Sequence, residues 1–219
     1  SYTYDDAGRV RTATKENGPT TTYGYNVAGQ ILTETLSGAG TYETIVRSRH
    51  YDSAGRLADE TAPGLGQIMH SYNVAGRSHT VTTPDTATRT ETFQIDGRLA
   101  SITGSGVVEE HYTHEVLSGG VRYARVNIGA LTSPRWRQAW SDWLGRRTKA
   151  SRPGWPGEPA IEEEHTYEAG TGYLVKTTRT GYAPTRYEYD ELGAVRRSGL
   201  DVGNNGALDL ASRDRVVDT

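Results

Sequence analysis

Several residue types that build ordinary protein interiors are scarce or missing in this sequence of 219 residues, which has no cysteine, one phenylalanine and one methionine. The lack of cysteine excludes disulfide bonds, thiolate metal ligands and a cysteine nucleophile. No stretch approaches the roughly 18 apolar residues of a membrane-spanning helix, so no membrane span is expected. The chain begins at Ser1 without a methionine or a signal peptide, and we expect it to be a fragment of a larger protein.

Apolar residues make up only 34% of the chain, against about 45–50% in ordinary soluble domains. Tyrosine and glycine are abundant instead, with 14 and 26 copies. A tyrosine ring can be covered, but its hydroxyl group needs a partner or water. This composition favours a thin sheet over a thick apolar core. The net charge of −3 provides no bulk attraction to nucleic acid or anionic membrane, so no nucleic-acid partner is expected.

A short phrase recurs along the whole chain. It reads YDDAGRV from Tyr4, YNVAGQI from Tyr25 and YDSAGRL from Tyr51. Its aligned glycines are 21 to 27 residues apart, except for one gap of 48 between Gly97 and Gly145, where a degenerate copy is expected. We assign the structural repeat positions to Tyr4, Asp5, Gly8, Tyr25, Asn26, Gly29, Tyr51, Asp52, Gly55, Tyr72, Asn73, Gly76, Gly97, Asp142, Gly145, Gly172, Tyr189, Asp190 and Gly193.

Each copy has the residue pattern of a tight turn between two antiparallel strands. Asp or Asn at the first position and Gly at the fourth are typical of a type I turn, in which the Asx side chain caps the backbone. Glycine tolerates a positive φ, and such a turn commonly joins its strands through a bulge. Turns are therefore predicted near residues 5–9, 26–30, 52–56, 73–77, 94–98, 116–120 (the degenerate copy), 142–146, 168–172 and 190–194.

The sequence thus predicts an all-β fold, with tandem antiparallel β-hairpin repeats of about 21–27 residues in a single array over residues 1–219. Polar repeats bury little by themselves, so stacking against neighbouring repeats must stabilise them. A curved, spiralling sheet would also shield strand edges. No convincing helix is predicted. The best candidate, Ser133 to Leu144, has a poor capping signal, and the tail from Asn205 to Arg215 has room for one helical turn.

The Tyr-Asp-x-x-Gly-Arg-Leu phrase, repeated in tandem over essentially the whole chain, resembles the YD or RHS repeat. Proteins with this repeat include bacterial RHS polymorphic toxins, the C subunits of Tc toxins, wall-associated proteins and teneurins. The resemblance implies a partial YD shell, in which the sheet spirals into a hollow wall around a toxin or effector domain, or forms part of an adhesive ectodomain. It also implies a secreted or cell-surface location, with neighbouring YD repeats of the same parent protein as partners. Such shells typically end in a plug region with an aspartyl self-cleavage motif, which is missing before Thr219, so self-processing is not transferred.

The segment DVGNNGALD, from Asp201 to Asp209, has oxygen-bearing side chains around a glycine, as a flexible calcium loop requires. Asp201, Asn205 and Asp209 are the candidate ligands of a calcium ion. Two departures weaken this hypothesis. Gly203 stands where a side-chain ligand belongs, and Ser212 stands where the pattern has a glutamate. The alternative is a polar turn capped by Asx side chains.

The segment 134–155 is rich in tryptophan and arginine. Aromatic rings interleaved with arginines can bind single-stranded nucleic acid, a glycan or a protein partner. The candidate partner-binding residues are Trp136, Trp140, Trp143 and Arg146. The alternative is a worn repeat whose tryptophans pack on the sheet while its arginines pair with acids such as Glu162, Glu163 and Glu164.

Catalytic motifs are not found. His111 and His114 superficially resemble a zinc pair, but the catalytic zinc motif places two histidines one turn apart on a helix. At a spacing of three in a predicted strand, they point to opposite faces. The sequence also lacks a G-x-S-x-G elbow and a P-loop. We therefore predict a chain that is not itself an enzyme.

The sequence leaves three candidate functions open. The first is a structural segment of a YD-repeat shell that encapsulates or presents a toxin or effector domain. The second is an adhesion module that binds a glycan or a receptor. The third is part of a self-processing toxin whose catalytic residues lie outside this fragment.

Overall fold

The computed structural model describes residues 1–16, 18–38, 44–211 and 213–218. The chain divides into two compact units, Ser1–Val108 and Glu109–Thr219. The sequence predicts a single array, and the boundary between the units falls in the long gap between the turn glycines Gly97 and Gly145. The most degenerate copy of the repeat therefore follows the point where the two units divide.

In its described residues, the first unit contains ten strands, each antiparallel to the next strand in sequence. They are β1 (Tyr2–Tyr4), β2 (Val10–Thr14), β3 (Thr20–Tyr25), β4 (Ile31–Ser37), β5 (Ile45–Tyr51), β6 (Leu57–Ala62), β7 (Gly66–Asn73), β8 (Ser78–Thr82), β9 (Thr88–Phe93) and β10 (Leu99–Thr103). Tight turns that carry the repeated phrase alternate with return loops of varying length.

The second unit repeats this plan with nine strands in the part that the structure describes, again paired in sequence order. They are β11 (Glu110–Val116), β12 (Arg122–Ile128), β13 (Trp136–Ser141), β14 (Arg147–Arg152), β15 (Ile161–Tyr167), β16 (Leu174–Arg179), β17 (Thr185–Tyr189), β18 (Val195–Leu200) and β19 (Arg215–Asp218). The short 3-10 helix Ser118–Gly120 forms the turn of the degenerate copy. The all-β fold is confirmed.

The repeated phrase forms the same turn in most copies. In the first copy, the Gly8 amide donates to the Asp5 carbonyl at 2.9 Å, and the Asp5 amide donates to the Arg9 carbonyl at 2.9 Å. The strand register then shifts by one residue, because Tyr4 pairs with Val10, which produces a bulge. The glycine of this turn needs a positive φ, which lies between 77° and 85° at Gly8, Gly29, Gly55, Gly97, Gly145 and Gly193. Gly172 has a φ of 77° in a turn that is one residue longer, because its amide donates to the Glu168 carbonyl.

The fourth copy departs from this geometry. Arg77, and not Gly76, has the left-handed backbone, with φ of 48°. Asn73 pairs directly with Ser78 without a register shift, and the Asn73 side chain accepts the Gly76 amide at 2.8 Å. This copy has Ser78 at the position where most of the other copies have Val, Ile or Leu. The expectation of a positive φ at the fourth position is therefore wrong for this turn.

The segment with the best helical pattern, 133–144, contains strand β13 and the start of the next turn. Its strand pairs with β12 and β14, so two ladders of backbone hydrogen bonds replace the poorly capped helix. The tail forms turns and bends over 201–211 and 213–214, and then the unpredicted strand β19. In the described part of the chain, no helix has the length and apolarity needed to cross a bilayer.

Very few side chains are buried. Among the described residues, Leu208 is the one buried hydrophobic side chain, and Asn127, Ser151 and Asp201 are the buried polar ones. Polar contacts between strands take the place of an apolar core, as in the hydroxyl pair of Thr80 and Thr90 at 2.8 Å. This thin, wetted sheet is what the shortage of apolar residues favours.

Replacing Gly97 by Ala is expected to lower the free energy of unfolding by about 1–2 kcal/mol, because an L-residue is strained in the left-handed region. The φ of Gly97 is 81°, and an added Cβ would meet no atom within 4 Å, so backbone strain alone is tested. Gly170→Ala is the matched control, since its Cβ would also lie in open space and its φ is not left-handed. Urea unfolding measures both. Equal effects of the two substitutions would contradict the assigned turn geometry.

Candidate functional site: the turn clamps

The aspartate of the repeated phrase organises its own turn. Asp5 Oδ1 accepts the backbone amides of Ala7 and Arg9 at 3.0 and 2.9 Å, and Asp5 Oδ2 accepts Arg9 Nε at 2.7 Å. Asp142 holds Arg146 in the same way, through its backbone amide at 2.9 Å and Nε at 2.7 Å. One carboxylate thus caps the turn and fixes the direction of the arginine.

The fixed arginine reaches into the next repeat. The Arg9 guanidinium lies over the Tyr25 ring at 4.6 Å from its centroid, and its Nη1 donates to the Asn26 carbonyl at 3.1 Å. Arg146 makes the same contact with Tyr167, at 4.6 Å. A cation held over an aromatic ring contributes about 0.5–1 kcal/mol at exposed sites. The arginine therefore joins two turns that are far apart in sequence.

The tyrosine of the next repeat returns a hydrogen bond. Tyr25 Oη donates to the Val10 carbonyl at 2.7 Å. Tyr51, Tyr167 and Tyr189 donate in the same way to carbonyls at the start of the strand that follows the preceding turn. We call this arrangement a turn clamp: the Asp–Arg pair of one turn together with the Tyr of the next repeat. These four repeat tyrosines thus link one hairpin to the next.

Hydrogen bonds and ion pairs keep the clamp carboxylates in their charged form. The pKa of Asp52 is held below its ordinary value by the Arg56 side chain, and next by the Arg56 backbone amide. The pKa of Asp5 is also lowered, chiefly by the backbone amide of Arg9. Both carboxylates therefore remain ionised, and paired with their arginines, into acidic solution.

Some copies replace the ionic clamp with a neutral one. Asn26 Oδ1 accepts the amides of Ala28 and Gln30 at 3.0 and 2.9 Å, and Asn26 Nδ2 donates to Gln30 Oε1 at 2.8 Å. Gln30 Nε2 then donates to the Gly55 carbonyl at 2.7 Å. Amide groups therefore reproduce the geometry of an Asp–Arg pair without charge, which explains why Asn-Gln can occupy the repeat.

Other copies lose part of the clamp. Phe93 stands in place of tyrosine and has no hydroxyl group to donate. In that turn the carboxylate has moved to Asp96, which pairs with Arg98 at 2.5 Å. In the last copy, Asp190 caps its turn through the amides of Leu192 and Ala194, but an alanine replaces the arginine.

A stacked column lies next to one clamp and was not predicted from the sequence. The Arg56 guanidinium covers the Tyr72 ring at 4.5 Å, and this ring stacks on His79 at 4.6 Å between centroids. His79 stacks in turn on His70, at 5.3 Å. Burial lowers the pKa of His79, and the charge of nearby His70 lowers it further. The sequence signal for this column is that His70 and Tyr72 are two residues apart in one strand, which places both rings on the same face.

The tryptophan-rich segment divides between the sheet and solvent. Trp136 lies under Arg125, and Trp140 packs against Tyr123 at 5.2 Å between ring centroids. Trp143, at the tip of its turn, is 67% exposed. The rings of Trp136 and Trp140 therefore pack on the sheet, whereas Trp143 is accessible to solvent at the tip of a turn. Arg146, the fourth candidate for partner binding, is a member of a turn clamp.

The acidic side chains near this segment have other partners than expected. Lys149 Nζ contacts Glu162 at 2.8 Å and Glu164 at 3.3 Å. Glu163 pairs with His165 Nε2 at 3.0 Å. Glu162 and Glu164 thus pair with a lysine and Glu163 pairs with a histidine, whereas the sequence suggested arginines as their partners.

His111 and His114 both lie in strand β11. His111 Nε2 is 3.6 Å from Glu109, whereas His114 stacks near Tyr112 on the other face. Within the described ranges, no three or more His, Cys, Asp or Glu side chains converge in a way that could hold a metal ion.

The candidate calcium loop is organised around a buried carboxylate. Asp201 is 0% exposed. Its Oδ1 accepts the Asn205 amide at 3.0 Å, and its Oδ2 accepts the Gly206 amide at 3.0 Å and Arg186 Nε at 2.6 Å. The Arg186 guanidinium is the main reason that the pKa of Asp201 lies below its ordinary value of 3.8. Both oxygens thus face hydrogen-bond donors, which is the arrangement of a structural ion pair.

The remaining predicted positions of this loop have local roles. Asn205 Oδ1 accepts the Ala207 amide, and Asp209 Oδ1 accepts the Ala211 amide at 3.2 Å. Ser212 lies outside the described residues. A second carboxylate, Asp214, accepts the amides of Val202 at 2.8 Å and Asp209 at 2.9 Å. This geometry favours the Asx-capped turn over a calcium site.

Hairpins joined by turn clamps define a β-hairpin repeat protein. The family model of the RHS repeat matches residues 4–42, which confirms in that part of the chain the resemblance to the RHS repeat that the sequence indicates. These residues include the first complete clamp, of Asp5, Arg9 and Tyr25. A search of curated proteins finds no match.

Solved structures show the same fold. The crystal structure of TcdB2-TccC3-TEV is 16% identical, with a TM-score of 0.62, over 91% of this chain and 11% of that chain. The structure of the Photorhabdus luminescens Tc holotoxin pore is 17% identical, with a TM-score of 0.51, over 91% of this chain and 13% of that chain. The chain therefore spans about an eighth of the length of the structures that it resembles.

Asp201→Asn is expected to lower the melting temperature equally in calcium and in EDTA, because it removes the charge opposite Arg186. The folded-state pKa of Asp201 lies below 3.8. Its stabilising contribution is therefore complete above about pH 4 and disappears as the pH falls through the folded-state value. The difference from the unmodified chain should thus shrink in acid. Destabilisation that appears only in calcium, with a matching effect of Asp209→Asn, would support the calcium site instead.

Proposed function

We propose that this chain is a segment of the wall of a hollow shell that encapsulates or presents a toxin or effector domain in a secreted or cell-surface protein. The turn clamps are the observation that carries the proposal. Each clamp joins one hairpin to the next through the side chains of the repeated phrase. Repeats joined in this way extend a wall without needing an apolar core, since stability is shared between neighbours.

The likeness to Tc toxin structures supports the same role. A wall acts by excluding the surroundings from its contents, so the proposal assigns the chain a mechanical role without catalytic turnover. Self-processing would require residues outside this chain. The immediate partners would be further RHS repeats of a longer protein, arranged as a spiral that continues the hairpin array.

One observation favours adhesion as a second candidate function. Trp143 projects from a turn tip with 67% of its surface exposed, and Trp155 in a return loop is 80% exposed. Exposed tryptophans are frequent anchors at binding surfaces. In this alternative, the turn tips would bind a glycan or a receptor, and the sheet would serve as a support.

Electron microscopy of a longer protein that contains this chain tests the proposal. A hollow particle with a wall of stacked hairpins and density inside is the expected result. Replacing the clamp arginines Arg9, Arg56 and Arg146 by Met should loosen that wall, because each loses its ion pair and its hydrogen bonds. A solid particle or an open rod would contradict encapsulation and would make Trp143 the first binding position to mutate.

A further inference from the structure

A basic trough crosses one face of the second unit. It has a volume of about 720 Å³ and is lined by side chains from strands β11 to β16. Five arginines contribute to its lining, against a single glutamate, and the guanidinium group of one of them, Arg125, lies over Trp136 on the other face. This concentration of positive charge contrasts with the net charge of −3 for the whole chain. The trough lies along the strands, whereas the turn clamps lie at the hairpin ends, and the two meet at Arg147, whose carbonyl accepts the Tyr167 hydroxyl.

The strand register explains its floor. Residues directly opposite each other in an antiparallel sheet share a face. Ala124 lies opposite Ala139, and Ala139 lies opposite Ala150. Three small side chains therefore form a continuous row across three strands, and they leave the depth that larger residues would fill. Val126 and Ile161 extend this apolar floor on the same face.

Arginines from the same register form the rim. Arg137 lies opposite Val126, and Arg152 lies opposite Ile161. The bulge after the turn at 142–146 places Arg147 opposite Ser141, which directs its side chain to the face of the trough. These three guanidinium groups have neither an ion pair nor a hydrogen-bonded partner within the described residues.

The carboxylate in the trough lining does not neutralise the arginines of the trough. Glu163, the one carboxylate in the lining, already pairs with His165 Nε2 at 3.0 Å. Arg179 at the end of the trough lies over Tyr182 at 5.1 Å from the ring centroid. Unpaired guanidinium groups over an aliphatic floor therefore form a surface that is complementary to carboxylates carried beside small apolar groups.

We propose that this trough binds an extended, acidic segment of polypeptide. Its carboxylates would pair with Arg137, Arg147 and Arg152, since the planar guanidinium fork matches a carboxylate. Its apolar side chains would lie over the alanine row. Successive side chains of an extended chain point to opposite sides. A segment of alternating acidic and apolar residues would therefore direct its apolar side chains to the floor and its carboxylates to the arginine rim.

The floor distinguishes this occupant from single-stranded nucleic acid. A nucleic-acid groove usually combines its positive charge with aromatic rings on which bases stack. The tryptophans of strand β13 lie on the opposite face, because Trp136 and Trp140 alternate with Arg137 and Ala139 along the strand. Tyr112 and His114 lie at one end of the trough, and the rest of its floor is aliphatic, so aromatic stacking positions are confined to that end. The proposal requires no shell and does not depend on the proposed function.

Fluorescence anisotropy with the full chain tests the site. The probe is a fluorescein-labelled decapeptide of alternating Glu and Leu, and the comparison probes are a Lys–Leu decapeptide and decathymidylate. The acidic peptide is expected to bind, and its affinity should fall with added salt. The double variant Arg137→Gln, Arg152→Gln should weaken binding by about tenfold or more, because two charge-assisted contacts are lost.

Two further variants make the test specific. Ala139→Ile keeps a strand-compatible residue and fills the floor, so it should weaken binding while the circular dichroism spectrum is unchanged. Arg196→Gln removes an exposed arginine outside the trough lining and should bind as the unmodified chain does. The proposal is overturned if the acidic peptide does not bind, if the trough variants bind it normally, or if decathymidylate binds more tightly than the peptide.

Discussion

The arginine of each complete repeat lies between two partners that no local structure would bring together. Its own turn supplies an aspartate, which fixes the guanidinium group through Nε, and the next hairpin supplies a tyrosine ring and a backbone carbonyl. The tyrosine hydroxyl then donates to the strand that follows the first turn. The residues of one motif therefore bond both within their own turn and to the next hairpin. For this reason, the same few residues repeated in tandem specify the stacking of hairpins.

This dependence on polar contacts follows from how little apolar surface the chain buries. Leu208 is the one buried hydrophobic side chain in the described residues. Backbone ladders, threonine pairs and clamps must therefore provide what a core provides elsewhere. The most buried charged group, Asp201, follows the same principle, since its carboxylate is satisfied by Arg186 and two backbone amides. A buried carboxylate is tolerated because each oxygen has donors.

Much of this architecture could be predicted from the sequence, because a turn is a local structure. Asp or Asn followed three residues later by Gly predicts both the capped turn and its bulge. The Arg9–Tyr25 contact could not be predicted in the same way, since it depends on how the intervening return loop places one hairpin beside the next. The fourth turn also differs from the prediction, since it keeps Asn73, Gly76 and Arg77 and yet lacks the bulge.

The candidate sites show the same limit. The loop from Asp201 has the composition of a cation loop, and only the position of Arg186, on another strand, shows that the carboxylate faces a guanidinium group. The basic trough was also missed, because Arg137, Arg147 and Arg152 share a face only through strand register and one bulge. Their spacing in the sequence contains no periodic signal for that arrangement.

A double-mutant cycle on Arg146 and Tyr167 tests most directly whether clamps hold adjacent hairpins together. Urea unfolding of Arg146→Met, Tyr167→Leu and the double variant gives the coupling energy between the two side chains. The clamp predicts a favourable coupling of about 0.5–2 kcal/mol, since the guanidinium group lies over the ring. The same cycle with Arg196 in place of Arg146 should give no coupling. A coupling of zero for Arg146 and Tyr167 would show that stacking of the repeats does not depend on the clamp.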